Sequence, residues 1–433
     1  MTVIRSLMPY PTGTVLGAVP HMVESGEAYA AGGGYRGAGD PDRLLSHLAD
    51  AGLRGRGGAG FPVAVKLRAV RDGGGAPVVV ANGEEGEPGS VKDRWLLRAR
   101  PHLVLDGLAH AAVLTGAAQA YVYLSDPYAA ARVRQALAES PPQVPTEVVE
   151  TGHTYVAGEE TAVVRRINGG PALPAAKPPR PYESGVGDRP TLVSNVETLA
   201  RIALVAARPE HRHEISGSTL LTLSSAGGPA LLAEAPYRTP LRTLATVQGT
   251  PEASGALMGG LFGGLVGPGS LDLELDRSAL AGAGTALGCG AIRFLDPGTC
   301  PLAMAADAVD HLRAESARQC GVCVSGTAAL ADTLRQLTAN AAVPDAAERL
   351  QRWSSGLAGR GACGLLDAAA GTAGSLLRAF PGLVRAHLEA ACTACAASPS
   401  SGGHRLVVAV PQVMDRPARE TRPSAEPSLK GSP

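Results

Sequence analysis

Lysine is nearly missing from this chain. It carries 39 basic side chains, yet only four are lysine: Lys66, Lys92, Lys177 and Lys430. Arginine fills the other positions, and its planar fork does a different job from a compact, flexible point charge. Three of the four lysines stand inside glycine-, acid- or proline-rich motifs, which makes Lys66, Lys92 and Lys177 candidates for phosphate or carboxylate contacts. Net charge is missing too, because 39 acids balance the 39 bases. That removes bulk electrostatic support for a nucleic-acid or anionic-membrane partner. No run of 18 apolar residues occurs, so no membrane insertion is expected. The stretch Met1-Thr2-Val3-Ile4-Arg5-Ser6 lacks a charged region followed by an apolar one, so no signal peptide is expected and a cytoplasmic location follows. Thiols stay reduced there, and seven cysteines then point to metal or redox work rather than to disulfides.

Glycine, by contrast, is abundant, and two stretches concentrate it. The first is Gly55-Arg56-Gly57-Gly58-Ala59-Gly60-Phe61-Pro62, followed by an apolar run ending at Lys66. Glycines allow positive φ and let backbone N–H groups approach a ligand closely. A helix starting near Pro62 would aim its N-terminus at the same place and favour an anion. The second is Asn82-Gly83-Glu84-Glu85-Gly86-Glu87-Pro88-Gly89, with three carboxylates in four residues. A phosphate cradle beside a carboxylate cluster suits a nucleotide or flavin. An ordinary glycine-rich turn in a glycine-rich protein is the plainer reading.

The length, 433 residues, allows about two to four domains. Residues 1–40 read as an irregular N-terminal arm. Between 41 and 214, helical patterns at 41–48, 103–120 and 128–139 alternate with apolar runs at 78–81, 120–124 and 146–149. That alternation predicts an α/β unit with a largely parallel, doubly wound sheet. Gly158-Glu159-Glu160-Thr161 opens a further helix, where the acids also suit the helix dipole alone. Ser194-Asn195-Val196-Glu197-Thr198-Leu199 starts another helix with a good N-cap. Short β-runs at 219–223 and 271–275 predict a small β-containing unit at 215–290. Helices at 301–318, 326–340, 345–357 and 372–391 have the size of a four-helix bundle within 291–395. Residues 396–433 read as a mostly disordered tail.

Cys320-Gly321-Val322-Cys323 and Cys392-Thr393-Ala394-Cys395 are both C-x-x-C pairs, and Cys363 lies between them. Such a turn aims two sulfurs at one point. The two pairs would make a four-cysteine zinc site, or three thiolates with a fourth ligand would hold an iron–sulfur cluster. Cys289 and Cys300 read as buried small apolar residues.

Together, Gly52 to Lys66, Asn82 to Arg94, Tyr155 to Thr161, Lys177-Pro178-Pro179 and Asn195 to Leu199 resemble the NADH-binding, FMN-carrying subunit of respiratory complex I. Related subunits serve NAD-linked hydrogenases and formate dehydrogenases, and the likeness runs from about residue 20 to 390. It implies a Rossmann-like FMN domain, a small β-grasp (ubiquitin-like) domain and a C-terminal four-helix bundle holding one [4Fe–4S] cluster. It places the FMN phosphate near Gly55, Arg56, Gly57, Gly58 and Lys66. Flavin polar contacts fall to Asn82, Glu84, Glu85, Gly158, Glu159, Asn195 and Thr198. Glu87 and Glu160 would face the nicotinamide and its ribose, Phe61 would stack on the dinucleotide, and Lys177 belongs to the same site. Cys320, Cys323 and Cys363 would hold the cluster, and electrons would pass to an iron–sulfur subunit, thioredoxin-like or ferredoxin-like.

The chain departs from that pattern in four places. Val324-Ser325-Gly326 stands where the family has its third cluster cysteine, leaving Cys392, Cys395 or Ser325 as replacement ligands, or a three-iron cluster, or none. Ala69 and Arg180 replace the aromatic rings that sandwich adenine, each worth about 0.5–1.5 kcal/mol beyond area burial. Arg180 can instead stack on adenine or meet a 2′-phosphate, which makes NADPH a second candidate substrate beside NADH. Glu84 stands where the family commonly has Asp. Two rivals share the same residues: an FMN electron-transfer protein with another donor, and a degenerate scaffold with zinc or nothing at Cys320, Cys323, Cys392 and Cys395.

Overall fold

The structure is a computed structural model that describes residues 2–9, 14–37, 39–397 and 402–415. Its strands are β1 (Val3–Ser6), β2 (Val78–Asn82), β3 (Gln119–Leu124), β4 (Thr146–Glu150), β5 (Thr191–Asn195), β6 (Ser218–Ser224), β7 (Leu231–Pro236), β8 (Ala256–Met258), β9 (Gly264–Val266) and β10 (Ala291–Phe294).

A four-stranded parallel sheet, ordered β4-β3-β2-β5, carries the first half of the chain. The valine run of β2 is apolar on both faces because both faces are covered. Val79 and Ala81 join the core under helices Val63–Arg71, Pro101–Thr115 and Val196–Ala207. Val78 and Val80 pack on the other side with Tyr121, Tyr123, Val163, Val186 and Val193. The last two of those helices touch closely, since a Cβ on Gly107 would sit 1.9 Å from the Leu199 carbonyl oxygen. The chain winds from β2 outward to β3 and β4, then returns to lay β5 on the other side of β2. A winding reversal of this kind opens a crevice at the carboxyl ends of β2 and β5. Register sets Asn82 and Asn195 side by side at that point.

The second sheet is mixed and six-stranded, ordered β1-β7-β6-β10-β8-β9. Its apolar residues form their own core with helix Leu241–Gln248. Helices Pro301–Ala314, Gly321–Thr338, Ala346–Gly356, Leu365–Ala379 and Leu383–Glu389 then build an all-helical layer around a third core. Among the described residues, no helix is long and apolar enough to cross a membrane.

The structure corrects four expectations. The N-terminal arm is not irregular throughout: β1 is an edge strand of the six-stranded sheet and Gly26–Ala31 is a helix capped by Ser25. The run at 271–275 is not a strand. Its start lies in a 3-10 helix, Pro268–Asp272. The helix expected over 372–391 is two helices, interrupted at Phe380-Pro381-Gly382, where proline removes a donor and glycine a side chain. Within the tail, residues 402–415 run back over the molecule. Val408 N–H donates to the Pro88 carbonyl (2.9 Å), and Met414 N–H donates to that of His21 (2.9 Å). The rest of the expected disordered tail, 398–401 and 416–433, lies outside the described residues.

Candidate functional site

The acidic loop begins at the last residue of β2. Asn82 accepts the Glu84 N–H on Oδ1 (3.2 Å) and donates Nδ2–H to the Gly158 carbonyl (2.9 Å), tying that loop to the Gly-Glu-Glu segment. Gly86 presses on the same segment, since a Cβ there would fall 2.7 Å from Tyr155 Cα. Glu85 turns inward. It accepts the N–H groups of Asp93 and Arg94 (both 3.1 Å) and the Ser90 hydroxyl (2.5 Å), so its carboxylate starts helix Lys92–Ala99 rather than facing the crevice. Glu84 differs. Its Oε1 pairs with His153 Nδ1 (3.0 Å), which holds that imidazole above its ordinary pKa. Its Oε2 is buried with no partner among the described residues. A buried acceptor without a donor is costly, and a bound ligand can supply one.

The glycine loop closes on itself through Gly55 N–H donating to the Phe61 carbonyl (2.9 Å). It lies over the end of β5: a Cβ on Gly57 would meet Asn195 Cβ at 3.3 Å. A Cβ on Gly58 would meet the Gly288-Cys289 turn at an ordinary contact distance of 3.8 Å, so it is the φ of +117° rather than crowding that calls for glycine there. Phe61 is 53 % exposed, a large apolar ring held at the surface. Arg56 does not serve the crevice with its side chain. Its guanidinium is buried, donating to the carbonyls of Ser216 and Ser218 (2.9 Å each), and its own N–H donates to Thr198 Oγ1 (2.9 Å). Thr198 therefore positions the loop backbone. Arg277, which no sequence pattern marked, lays its guanidinium against Gly60.

Asn195 caps helix Val196–Ala207, accepting the Glu197 N–H on Oδ1 (3.0 Å) while Nδ2 donates to Asp93 (2.7 Å). Below it lies a buried charge network. Lys92 bridges Asp93 (2.7 Å) and Glu197 (3.2 Å), and Arg201 pairs with Glu197 (2.9 Å) and Glu234 (3.3 Å). Burial raises Glu197, but Lys92, Arg201 and Arg56 outweigh it and leave its pKa lowered. Lys92 thus meets carboxylates, beneath the site rather than in it.

The other two lysines of the motifs meet the acids of the Gly-Glu-Glu segment. Lys66 donates to the Val193 carbonyl (2.8 Å) and lies 3.8 Å from Glu160. Burial lowers its pKa, against the pull of Glu160. Lys177 meets Glu159 (2.8 Å) and Glu160 (3.6 Å). Glu159 also caps helix Glu160–Ile167, accepting the Thr161 N–H (2.8 Å). Two ammonium groups and two carboxylates thus face one another, each partly exposed.

Glu87 sits apart from Glu160, on the side toward the six-stranded sheet. Its Oε1 accepts from the Tyr155 hydroxyl and its Oε2 from Leu261 N–H, both at 3.0 Å. Burial pushes its pKa up to about 7, so near neutrality it gains or loses a proton readily.

Cys320, Cys323 and Cys363 line one pocket with Pro174, Ser316 and Leu365. Their sulfurs are not all within 4.8 Å of one another. Leucine methyls crowd the place of the absent third cysteine. A Cβ on Gly326 would fall 3.0 to 3.2 Å from the methyls of Leu357 and Leu366. Ser325 is exposed, and Cys392 and Cys395 are engaged with Cys300 and His387. Cys320, Cys323 and Cys363 are thus the three thiols gathered at that pocket, a soft donor set of the kind that holds iron–sulfur clusters. Cys300 is not simply a buried apolar residue.

Comparison with known proteins shows the family to which the chain belongs. Residues 48–204 match the family described as Nuo51 FMN-binding domain, and residues 303–387 match the NADH-ubiquinone oxidoreductase-F iron-sulfur binding region. The chain is 32 % identical to the NADH-quinone oxidoreductase F 2 protein of Rhizobium meliloti over 397 residues, covering 83 % of this chain and 94 % of that protein. It is 30 % identical to the NADH-quinone oxidoreductase F protein of Streptomyces coelicolor over 367 residues, 78 % and 82 % of the two chains. A crystal structure of an NAD+-reducing [NiFe]-hydrogenase in the H2-reduced state superposes with a TM-score of 0.73 at 27 % identity, over 90 % of this chain and 68 % of that one. The chain belongs to the NADH-quinone oxidoreductase-F family of FMN- and iron–sulfur-binding oxidoreductases.

Proposed function

We propose that the crevice at the ends of β2 and β5 binds FMN and oxidises NADH there, and that electrons leave through a cluster on Cys320, Cys323 and Cys363 to an iron–sulfur partner subunit. The observation that carries this reading is the buried, unpartnered Oε2 of Glu84 beside a loop whose glycines leave no side chain in the way. When bound, the flavin supplies a hydride acceptor that releases electrons singly. The chain's residues supply the rest. Backbone N–H groups near Gly57 and Gly58, with Lys66, receive the phosphate, and Arg277 adds a cation beside Gly60. Asn82, Glu84, Gly158 and Asn195 offer the polar contacts for the ring and its chain. Glu160 and Lys177 face the dinucleotide's ribose and phosphates, and Phe61 stacks on it. Glu87 sits near the nicotinamide end, with Tyr155 and Leu261 fixing its carboxyl.

The same reading assigns an FMN domain to 41–214, a β-grasp-like domain to the six-stranded sheet, a four-helix bundle to 291–395, and a cytoplasmic setting. β1 and β10 extend that sheet beyond the expected 215–290.

Titrating FMN into flavin-free protein tests the site. Wild type should bind and quench flavin fluorescence. Glu84→Ala should weaken binding about 10- to 100-fold, the value of a hydrogen bond to a charged group. Failure of wild type to bind FMN would overturn the reading.

A further inference from the structure

Four side chains far from the flavin crevice converge on one point. Cys300 caps helix Pro301–Ala314, His387 lies on Leu383–Glu389, and Cys392 and Cys395 flank the start of helix Thr393–Ala397. One donor atom from each lies within 4.8 Å of all the others. His387 Nε2 is 3.4 Å from Cys300 Sγ and 3.5 Å from Cys395 Sγ. Its Nδ1 is 2.8 Å from the Leu383 carbonyl, which can only accept. The proton is therefore on Nδ1, and the Nε2 lone pair faces the sulfurs. That is the tautomer a metal requires, fixed by the partner behind the ligand.

Spacing identifies the occupant. A tetrahedral zinc ion with bonds of about 2.3 Å to sulfur and about 2.0 Å to nitrogen holds its donors about 3.5–3.8 Å apart. The sulfur–nitrogen separations match. The turns also suit thiolates: backbone N–H groups of Ala394 and Cys395 reach the Cys392 sulfur, and those of Leu302 and Ala303 reach Cys300. Cys300, His387 and Cys395 are buried and Cys392 is half-buried, so four protein ligands close the sphere and leave no open position.

We infer that Cys300, His387, Cys392 and Cys395 bind a Zn2+ ion, separate from the thiols at Cys320, Cys323 and Cys363. The soft three-sulfur, one-imidazole set favours zinc, and a closed site makes it structural. Binding converts the three thiols to thiolates and releases their protons to water. The ion would fasten the loop after β10, the Leu383–Glu389 helix and the Thr393–Ala397 helix to one another. The segment 402–415, which returns to Pro88 beside Glu87, continues from that anchor.

The test is elemental analysis of the full chain purified with reductant and without added metal. The expected result is about one zinc per chain, lost in Cys392→Ser and Cys395→Ser but kept in Cys320→Ser. Because a buried variant can fail to fold, wild type exchanged with Co2+ gives a second readout. It should show the intense visible bands of tetrahedral thiolate cobalt. Zinc retained in Cys392→Ser and Cys395→Ser but lost in Cys320→Ser would overturn the inference. So would a wild type that takes up neither zinc nor cobalt, or one whose Cys300, Cys392 or Cys395 forms a disulfide under those conditions. None of these readouts depends on FMN or on activity.

Discussion

Glu87 is a carboxyl group enclosed by Tyr155, Leu261 and Gly260, and burial lifts its pKa from 4.5 to about 7. Between those values the folded protein keeps a proton that the unfolded chain has released. Stability therefore falls as pH rises through that window and levels off above about pH 7. Glu87→Gln has no such proton, so its stability relative to wild type should grow from pH 4.5 to 7 and then stay constant. Thermal unfolding across that range checks it, and a difference independent of pH would contradict the assigned cause. Glu197 behaves in the opposite sense. It is fully buried among Lys92, Arg56 and Arg201, and Glu197→Gln would leave these cations underpaired. A loss of about 3–5 kcal/mol is expected in urea unfolding. Arg180 is exposed where the resemblance implies an aromatic ring. Arg180→Phe should lower the KM for NADH by about two- to tenfold, the worth of one stacked pair; an unchanged KM would show that adenine lies elsewhere.

At the scale of elements, two helices and two loops place the site. Helix Pro101–Thr115 approaches helix Val196–Ala207 through Gly107, and the second helix carries Thr198 behind its cap, Asn195. Gly107→Ala should cost about 3 kcal/mol, because backbone overlap outweighs the gain of about 1 kcal/mol in helix propensity. Urea unfolding measures it. The parallel sheet was legible in the sequence, since valine runs alternating with amphipathic segments have few other solutions. The roles of individual acids were less so. Glu159 is a helix N-cap, where a capping acid and a ligand acid carry the same pattern, and Glu85 reaches the first N–H groups of a helix that starts seven residues further on. Only the hydrogen bonds separate Glu85, which is fully used within the fold, from Glu84, which has an oxygen to spare. Arg56 illustrates the same limit: it lies in the glycine loop, yet its side chain serves the core. Cys300 and His387 are 87 residues apart, so no spacing rule pairs them with a C-x-x-C.

At the scale of the molecule, three layers meet around one route. The parallel sheet presents the crevice, the connections around the six-stranded sheet contribute Arg277 and the Leu261 backbone, and the helical layer carries Cys320, Cys323 and Cys363 near Pro174. The family resemblance already implied this division, but not the crowding of the Gly326 position by leucines, which depends on packing between distant helices. The N- and C-terminal segments hold the layers together, with Thr2 donating to the Ala409 carbonyl and Val408 to that of Pro88. The central claim is that NADH reduces a flavin in the crevice. The most direct measurement is anaerobic titration of the FMN-loaded chain with NADH, following the flavin's visible absorbance. Complete bleaching is expected with about one NADH per flavin before any external acceptor is added. Flavin that stays oxidised under excess NADH, while dithionite bleaches it, would contradict the account.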